Sequence, residues 1–218
     1  MFFKLLFDDP IYYVSVVMAV LLSVTLHEVG HAVAAWWEGD STARDLGHFE
    51  LNPMIHMGPT AIIVLLLVGI TWGQTPVQPH RFRHGRTGEA LVAFAGPAVN
   101  LGLGVLFTVM SVLWIYFGTQ LPVPDHFYDN LGQFLGIGAV NNFMLCLFNL
   151  LPVPPLDGFT VATSLSPALD RAADGIRQNS MILFLIVFMF AGRFLWPIAS
   201  GAVSFVTSLV VMAISGVT

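Results

Sequence analysis

Charged residues are scarce in this chain of 218 residues. Asp, Glu, Lys and Arg together make up 10% of it, whereas 56% of its residues are hydrophobic. Because an average soluble domain is about 25% charged, this chain has too few polar side chains to cover a surface that faces water. The composition therefore predicts a protein whose surface is covered largely by the lipid bilayer.

Basic residues and cysteine are rarer still. Eight Lys and Arg residues stand against 13 Asp and Glu residues, which gives a formal net charge of −5. Since no Lys/Arg cluster is present either, we expect no nucleic-acid partner. The one cysteine, Cys146, has no second cysteine in this chain with which to form a disulfide. The opening residues, MFFKLLFDDP, make a poor signal peptide, so we expect the N-terminus to be retained.

The sequence contains five apolar stretches. A helix needs about 20 apolar residues to cross a bilayer; one stretch is shorter than this, and the last is longer and contains Arg193 and Pro197. That last stretch is compatible with one bent helix or with two short ones. The sequence predicts an all-α polytopic membrane protein of about 5–6 transmembrane or re-entrant helices, forming a single domain over residues 1–218. The stretches are Ile11–Trp37, Pro59–Trp72, Glu89–Phe117, Leu131–Leu151 and Ser180–Ser215.

The basic residues predict the topology, because cytoplasmic loops are enriched in Lys and Arg. The Gln74–Gly88 loop contains three arginines and the Pro152–Asn179 loop contains two, so both are expected inside. The Gly118–Asn130 loop has acidic residues but no Lys or Arg, and is expected outside.

The first stretch contains His27, Glu28 and His31 in the pattern H-E-x-x-H. Two histidines four residues apart lie on one face of a helix, where both imidazoles reach a single metal ion. A carboxylate inside the membrane also needs a compensating interaction, which a zinc ion supplies. The alternative is that both histidines are neutral and hydrogen-bonded to neighbouring helices.

A catalytic zinc usually has three protein ligands and one open position. Asp157, which follows three prolines near the end of the fourth stretch, is a polar residue at a suitable depth. Taken alone, it would more simply be a helix N-cap. The need of the histidine pair for a third ligand favours Asp157 as a zinc ligand.

These motifs resemble the site-2 protease family of intramembrane zinc metalloproteases, in the compact form without a PDZ domain. That family pairs H-E-x-x-H with a later N-x-x-P-x-P-x-L-D-G, matched here by Asn149–Gly158. The resemblance extends from about Leu26 to Gly158, which lies within an expected catalytic core of about residues 11–158. The C-terminal helices expected at 180–215 lie outside it. Further matches are Leu51-Asn52-Pro53, His56, Pro76-Val77 and Phe94–Asn100, but relatives often read H-x-D-P where this chain has His56-Met57-Gly58-Pro59.

The resemblance implies a role for each matching residue. His27, His31 and Asp157 would hold one zinc ion per chain, Glu28 would be the catalytic general base, and Asn149 would stabilise the transition state. It implies zinc-dependent hydrolysis of peptide bonds in or near transmembrane segments of membrane protein substrates. No substrate-binding residue is assigned, and substrate identity, gating and oligomeric state stay open.

The depth of the site constrains the topology further. If Asp157 lies near the cytoplasmic face, His31 lies there too, and the N-terminus is outside. Pro59–Trp72 would then be a re-entrant helix that enters the membrane from the cytoplasmic side, and an extended limb after it would return to the same side. Extended backbone inside the membrane is tolerated only where it is buried in protein or lines a cavity. The expected location is a prokaryotic inner membrane, with the active site nearer the cytoplasmic face.

Other interpretations remain. A transporter would use buried polar groups as an ion path, a catalytically silent relative would bind membrane protein partners, and a peptidase of soluble chains would act at the cytoplasmic face. The asparagine Asn100 is expected to hydrogen-bond between helices. His56 is expected near the cavity, and the remaining histidines are expected in loops or at the interface: His48, His80, His84 and His126.

Overall fold

The computed structural model describes residues 2–216, and within that range the regular structure is entirely helical. The α-helices are α1 (Leu5–Asp8), α2 (Pro10–Trp37), α3 (Thr42–Asp45), α4 (Pro53–Val68), α5 (Gly85–Phe117), α6 (Asp125–Asn149), α7 (Asp157–Leu165), α8 (Pro167–Ala172), α9 (Asp174–Gln178) and α10 (Ser180–Ser215). Of these, α2, α5, α6 and α10 are long and apolar enough to cross a membrane. The predicted all-α polytopic membrane fold is confirmed.

Helices α2, α5 and α6 form the centre of the bundle. Helix α5 runs antiparallel to both of the others, and small residues allow close approach where they cross. A Cβ atom on Gly138 of α6 would lie 2.6 Å from the Phe107 ring of α5, and one on Gly30 of α2 would lie 2.8 Å from Val99 of α5. Helix packing in a bilayer depends on such contacts, because lipid is as apolar as the side chains.

Helix α4 and the chain after it form an excursion along α2. Asn52 caps the helix through Met54 N (3.0 Å), so α4 begins six residues before the apolar stretch predicted at Pro59. Gly58 interrupts the helix with φ +69°, and the apolar part after it, residues 59–68, spans about 15 Å, less than the ~30 Å of a bilayer core. At the far end, Tyr13 near the start of α2 donates a hydrogen bond to Leu66 O (2.7 Å).

The chain then comes back. Gly69 ends α4 with φ +84°, and residues 70–78, which we call the return limb, have no regular secondary structure. Gln74 N donates to His56 O (2.9 Å), so the end of the excursion meets its beginning. The chain after α4 therefore runs back beside the helix without regular structure, as expected of an extended limb; entry from one side of the membrane stays a prediction.

Helix α10 is a single helix of 36 residues with Pro197 in its interior. Its length of about 54 Å exceeds one bilayer core, and only Ala191, Leu195 and Ala199 are buried on it. These three form one stripe at four-residue spacing, and most other residues of the helix are exposed or half-buried. The structure thus selects one continuous helix over two short ones.

One end of the bundle is tied together by ionic contacts between elements. At the start of α5, Arg86 binds Asp170 of α8 (2.9 Å) and the carbonyl oxygen of Ser164 in α7 (3.0 Å). Arg177 pairs with the same Asp170 carboxylate. These contacts hold α7, and with it Asp157, against α5.

Candidate active site

Three side chains from distant parts of the chain meet at the level of the last third of α2. His27 Nε2 and His31 Nε2 lie 3.0 Å apart. The carboxylate oxygens of Asp157 lie 3.2 Å from His27 Nε2 and 3.5 Å from His31 Nε2. Both histidines are buried and Asp157 is half-buried. Asp157 is the first residue of α7 and follows Leu156, the N-cap, so it is not the N-cap that a simpler interpretation suggested.

The hydrogen bonds of the other ring nitrogens set the tautomers of both histidines. His31 Nδ1 lies 2.7 Å from Val92 O, a carbonyl that can only accept. His27 Nδ1 lies 2.6 Å from Asn100 Oδ1, and the amide nitrogen of Asn100 is used in donating to Asn142 Oδ1 (2.9 Å). We therefore assign the protons to both Nδ1 atoms, which leaves both Nε2 lone pairs facing each other and the Asp157 carboxylate.

This donor set fits a zinc ion. Two lone pairs and a carboxylate repel one another when buried together, and Asp157 Oδ2 is buried with no hydrogen-bond donor among the described residues. Tetrahedral zinc with bonds of about 2.1 Å places its ligand atoms about 3.4 Å apart, close to the separations of 3.0, 3.2 and 3.5 Å observed here. With three protein ligands, one coordination position stays open, as in catalytic zinc sites.

Gly96 of α5 leaves the space that the ligand atoms need. A Cβ atom on it would lie 2.4 Å from His31 Nε2 and 2.6 Å from His27 Nε2. Any other residue would place a side chain directly against the metal-binding nitrogens. The backbone of α5 thus forms one wall of the site.

Comparison with known proteins agrees with this metal-site geometry. Residues 15–192 match the peptidase family M50. The chain belongs to peptidase family M50. This M50 peptidase is therefore a metalloprotease and an integral membrane protein, and the family implies zinc as its metal.

Several curated relatives of this M50 peptidase have names that describe them as zinc metalloproteases. YwhC of Bacillus subtilis is 36% identical over 185 residues, which cover 83% of this chain and 84% of YwhC. Rip2 of Mycolicibacterium smegmatis is 32% identical over 191 residues, covering 82% of this chain and 69% of that protein. Rip2 of Mycobacterium tuberculosis is 28% identical, covering 81% and 67%. No solved structure gives a significant match.

Glu28 lies beside the ligands and is held by the return limb. The Thr75 hydroxyl lies 2.7 Å from Glu28 Oε2 and 3.0 Å from the Glu28 carbonyl oxygen. A Cβ atom on Gly73 would lie 2.3 Å from Glu28 Oε1, so only glycine leaves room for the carboxylate there. The return limb therefore contacts the Glu28 side chain itself.

Asn149, the last residue of α6, is half-buried. Its amide nitrogen donates to Leu145 O one turn back (3.0 Å). In this conformation its own helix, rather than the ligand cluster, accepts its hydrogen bond.

The sequence interpretation missed the residues that orient the ligands. Asn100 was expected to join helices, and it does, but its oxygen also accepts from His27. Asn142 and Ser23 extend this network (2.9 Å). Gly73 and Thr75 were expected only as part of the extended limb, without a contact to Glu28. Buried polar residues in the apolar stretches were the available signal, since such groups in a membrane need a specific partner.

Proposed function

We propose that this M50 peptidase hydrolyses peptide bonds in or near the transmembrane segments of membrane protein substrates. One zinc ion per chain would be held by His27, His31 and Asp157. The observation that carries the proposal is the convergence of two Nε2 lone pairs and a carboxylate inside a bundle of membrane-spanning helices. When bound, zinc supplies a Lewis acid that makes a water molecule a nucleophile near neutral pH and polarises the substrate carbonyl.

Each remaining residue has a role that follows from its position. Glu28 accepts the proton from the attacking water and delivers it to the leaving amine, as a general base and then a general acid. Thr75 fixes the direction of the Glu28 carboxylate. Asn149 stabilises the oxyanion once its amide turns from Leu145 O toward the substrate.

The return limb supplies a place for the substrate. A helical substrate must unwind before its peptide bond is accessible, and an extended strand needs partners for its exposed N–H and C=O groups. Residues 70–78 are without regular structure and lie against Glu28. Main-chain pairing along this limb would present the scissile bond beside the general base.

The location proposed for the protein is a prokaryotic inner membrane, with the site toward the cytoplasm. Six of the eight Lys and Arg residues follow the C-terminal end of α2, lie just before or at the start of α5, or lie in α8 and α9, and so belong to the end of the bundle nearer the site. The positive-inside rule assigns that end to the cytoplasm.

The test combines metal content with cleavage. Wild type, Glu28→Gln and the control Glu89→Gln are purified in detergent, assayed for zinc per chain, and incubated with a panel of single-span substrates. We expect about one tightly held zinc in all three, and a loss of about 100- to 10,000-fold in cleavage in Glu28→Gln alone, because general acid–base catalysis contributes a factor of this size. Normal cleavage by Glu28→Gln would overturn the assigned base, and absence of zinc from all three would overturn the metal site.

A further inference from the structure

A second pair of histidines lies outside the catalytic cluster. His48 lies in the loop after α3 and His56 in the first turns of α4. Their side chains are buried, with exposed fractions of 8% and 2% for the two residues. The ring centroids are 5.1 Å apart with an interplanar angle of 82°, close to the 4.7 Å and 83° of His27 and His31.

The hydrogen bonding of His56 matches that of a metal ligand. His56 Nε2 lies 2.8 Å from the carbonyl oxygen of Glu50, which can only accept, so Nε2 carries the proton and Nδ1 keeps its lone pair. Metal-binding histidines usually donate their other ring N–H to an oxygen in this way, as His31 does to Val92 O. His56 and His31 therefore have the same arrangement, except that His56 donates through Nε2 and His31 donates through Nδ1.

The free nitrogens of the pair are buried without partners. Among residues 2–216, neither His48 Nδ1 nor His56 Nδ1 has a hydrogen-bond partner. A buried polar atom left unpaired costs about 1–3 kcal/mol, and such atoms in native proteins call for a partner. Two of them on adjacent imidazoles indicate one shared partner.

The charge state of His48 agrees with a cationic partner. Burial lowers the pKa of His48, and the neighbouring His56 lowers it further, while Glu28 acts in the opposite direction. His48 is therefore neutral near pH 7, so one of its ring nitrogens has a lone pair that can bind a cation.

We propose that His48 and His56 bind a second transition-metal dication, such as zinc, through their Nδ1 atoms. No third His, Cys, Asp or Glu joins the pair within the part of the chain that the structure describes, so water completes the coordination. Two protein ligands make this site weaker and more exchangeable than one with three. The ion would fasten the start of α4 to the loop before it, and through His56 O and Gln74 N it would stabilise the return limb.

The test measures zinc binding by equilibrium dialysis at micromolar free zinc, using the purified full chain in detergent. Wild type, His48→Gln, Asp157→Asn and the control His126→Gln, which changes an exposed histidine, are compared. We expect about two zinc ions per chain in wild type and His126→Gln. His48→Gln should lose only the weaker, exchangeable ion, and Asp157→Asn should lose only the tighter ion.

The variants separate this inference from the proposed function on which its catalytic consequence rests. If wild type and His48→Gln bind the same amount of zinc, the second site is overturned and the catalytic site is unaffected. If Asp157→Asn binds as much zinc as wild type while His48→Gln binds less, the His48 site stands and the catalytic assignment fails.

A spectroscopic measurement on the wild type keeps the test independent of the folding of any variant. After the tighter site is filled with zinc, one equivalent of Cu²⁺ is added, the release of zinc is measured to confirm that copper has not displaced it, and the electron paramagnetic resonance spectrum is recorded. Splitting from two imidazole nitrogens is expected. A spectrum without nitrogen ligands would overturn the proposal.

Discussion

Glu28, the proposed general base, illustrates how a single side chain depends on a segment distant in sequence. Its carboxylate accepts a hydrogen bond from Thr75 and lies against Gly73, where no side chain fits. A hydrogen bond to a charged group contributes about 1.5–3 kcal/mol. The return limb is therefore a positioning element for the proposed base as well as a surface for substrate.

The Thr75 hydroxyl gives a direct prediction. Thr75→Val keeps the shape of the side chain but removes the donor, so we expect kcat to fall about 10- to 100-fold, since each 1.36 kcal/mol is a factor of ten. KM and zinc content should change little, because the substitution alters neither the metal ligands nor the main chain of the limb, through which the substrate would pair. Steady-state kinetics on a single-span substrate measure both constants.

Two variants control this prediction. Thr75→Ser keeps the hydroxyl and should retain most of the activity. Thr71→Val removes a hydroxyl of the same limb that donates to Ala61 O (3.2 Å) rather than to Glu28. Equal losses of kcat in Thr71→Val and Thr75→Val would assign Thr75 a structural role only.

Sequence and structure differ at the residue scale in what each reveals. The pattern of His27, Glu28 and His31 is local, since one helical turn brings the two histidines together, and it was visible in the sequence. Asn100 and Thr75 act on these residues from 73 and 47 positions away. Only the packing of α5 and the path of the return limb bring them there, and no short-range pattern encodes that.

At the scale of elements, two acidic residues after α2 hold the chain that leads into α5. Glu38 accepts hydrogen bonds from His84 N (3.2 Å) and His84 Nδ1 (3.1 Å). The Asp40 carboxylate, fully buried, accepts from Gln78 N (2.6 Å) and from Thr42. These contacts fix residues 78–84, which connect the return limb to α5.

Protonation of these carboxylates at low pH would weaken the hydrogen bonds that hold residues 78–84 in place. Burial raises the pKa of Glu38, but the hydrogen bonds from His84 outweigh burial and leave the pKa below its ordinary value near 4.5. A carboxylate with a lowered pKa stabilises the fold fully above the ordinary value, and this stabilisation is lost as the pH falls through the lowered pKa. Protection of the amides of residues 78–84 from exchange, relative to the intrinsic rate at each pH, should therefore be high at pH 5–7 and fall below about pH 4.5.

An uncharged residue at position 38 tests whether the Glu38 carboxylate causes the change in amide exchange at acid pH. Glu38→Gln should show faster exchange in residues 78–84 already at pH 7, with a weaker dependence on pH, whereas the exposed Glu50→Gln should behave as wild type. An unchanged profile in Glu38→Gln would contradict the assigned role.

The elements themselves were only partly predictable. The spanning stretches were evident because apolar length alone marks them. The start of α4 was missed because it depends on the Asn52 cap and on Gly58, whose φ of +69° interrupts the helix before Pro59. Whether Pro197 divides α10 could not be decided from the sequence, since neighbouring helices compensate for a proline inside a membrane helix.

At the scale of the whole molecule, the bundle has two chemically distinct ends. The site end contains most of the basic residues, whereas the other end contains Lys4, the start of α2 and the loop after α5. If the site end faces the cytoplasm, a membrane-impermeant maleimide applied to intact cells should label Thr119→Cys and not Thr87→Cys. Both variants are made in a Cys146→Ser background.

Thr87 and Thr119 are suitable positions because both are exposed and lie near opposite ends of α5. Permeabilised cells control for access and should show labelling of both variants. Labelling of Thr87→Cys alone in intact cells would show that the site end faces outward, opposite to the proposed orientation.

The proposed ligand set would also determine when the protein becomes active during its synthesis. More than half of the chain separates His31 from Asp157. The ribosome therefore delivers both histidines to the membrane well before their acidic partner, which arrives only after α5 and α6 have been made. A nascent or prematurely terminated chain that stops before α7 carries H-E-x-x-H without a third ligand, so neighbouring membrane proteins are exposed to a competent protease only once its assembly is nearly finished.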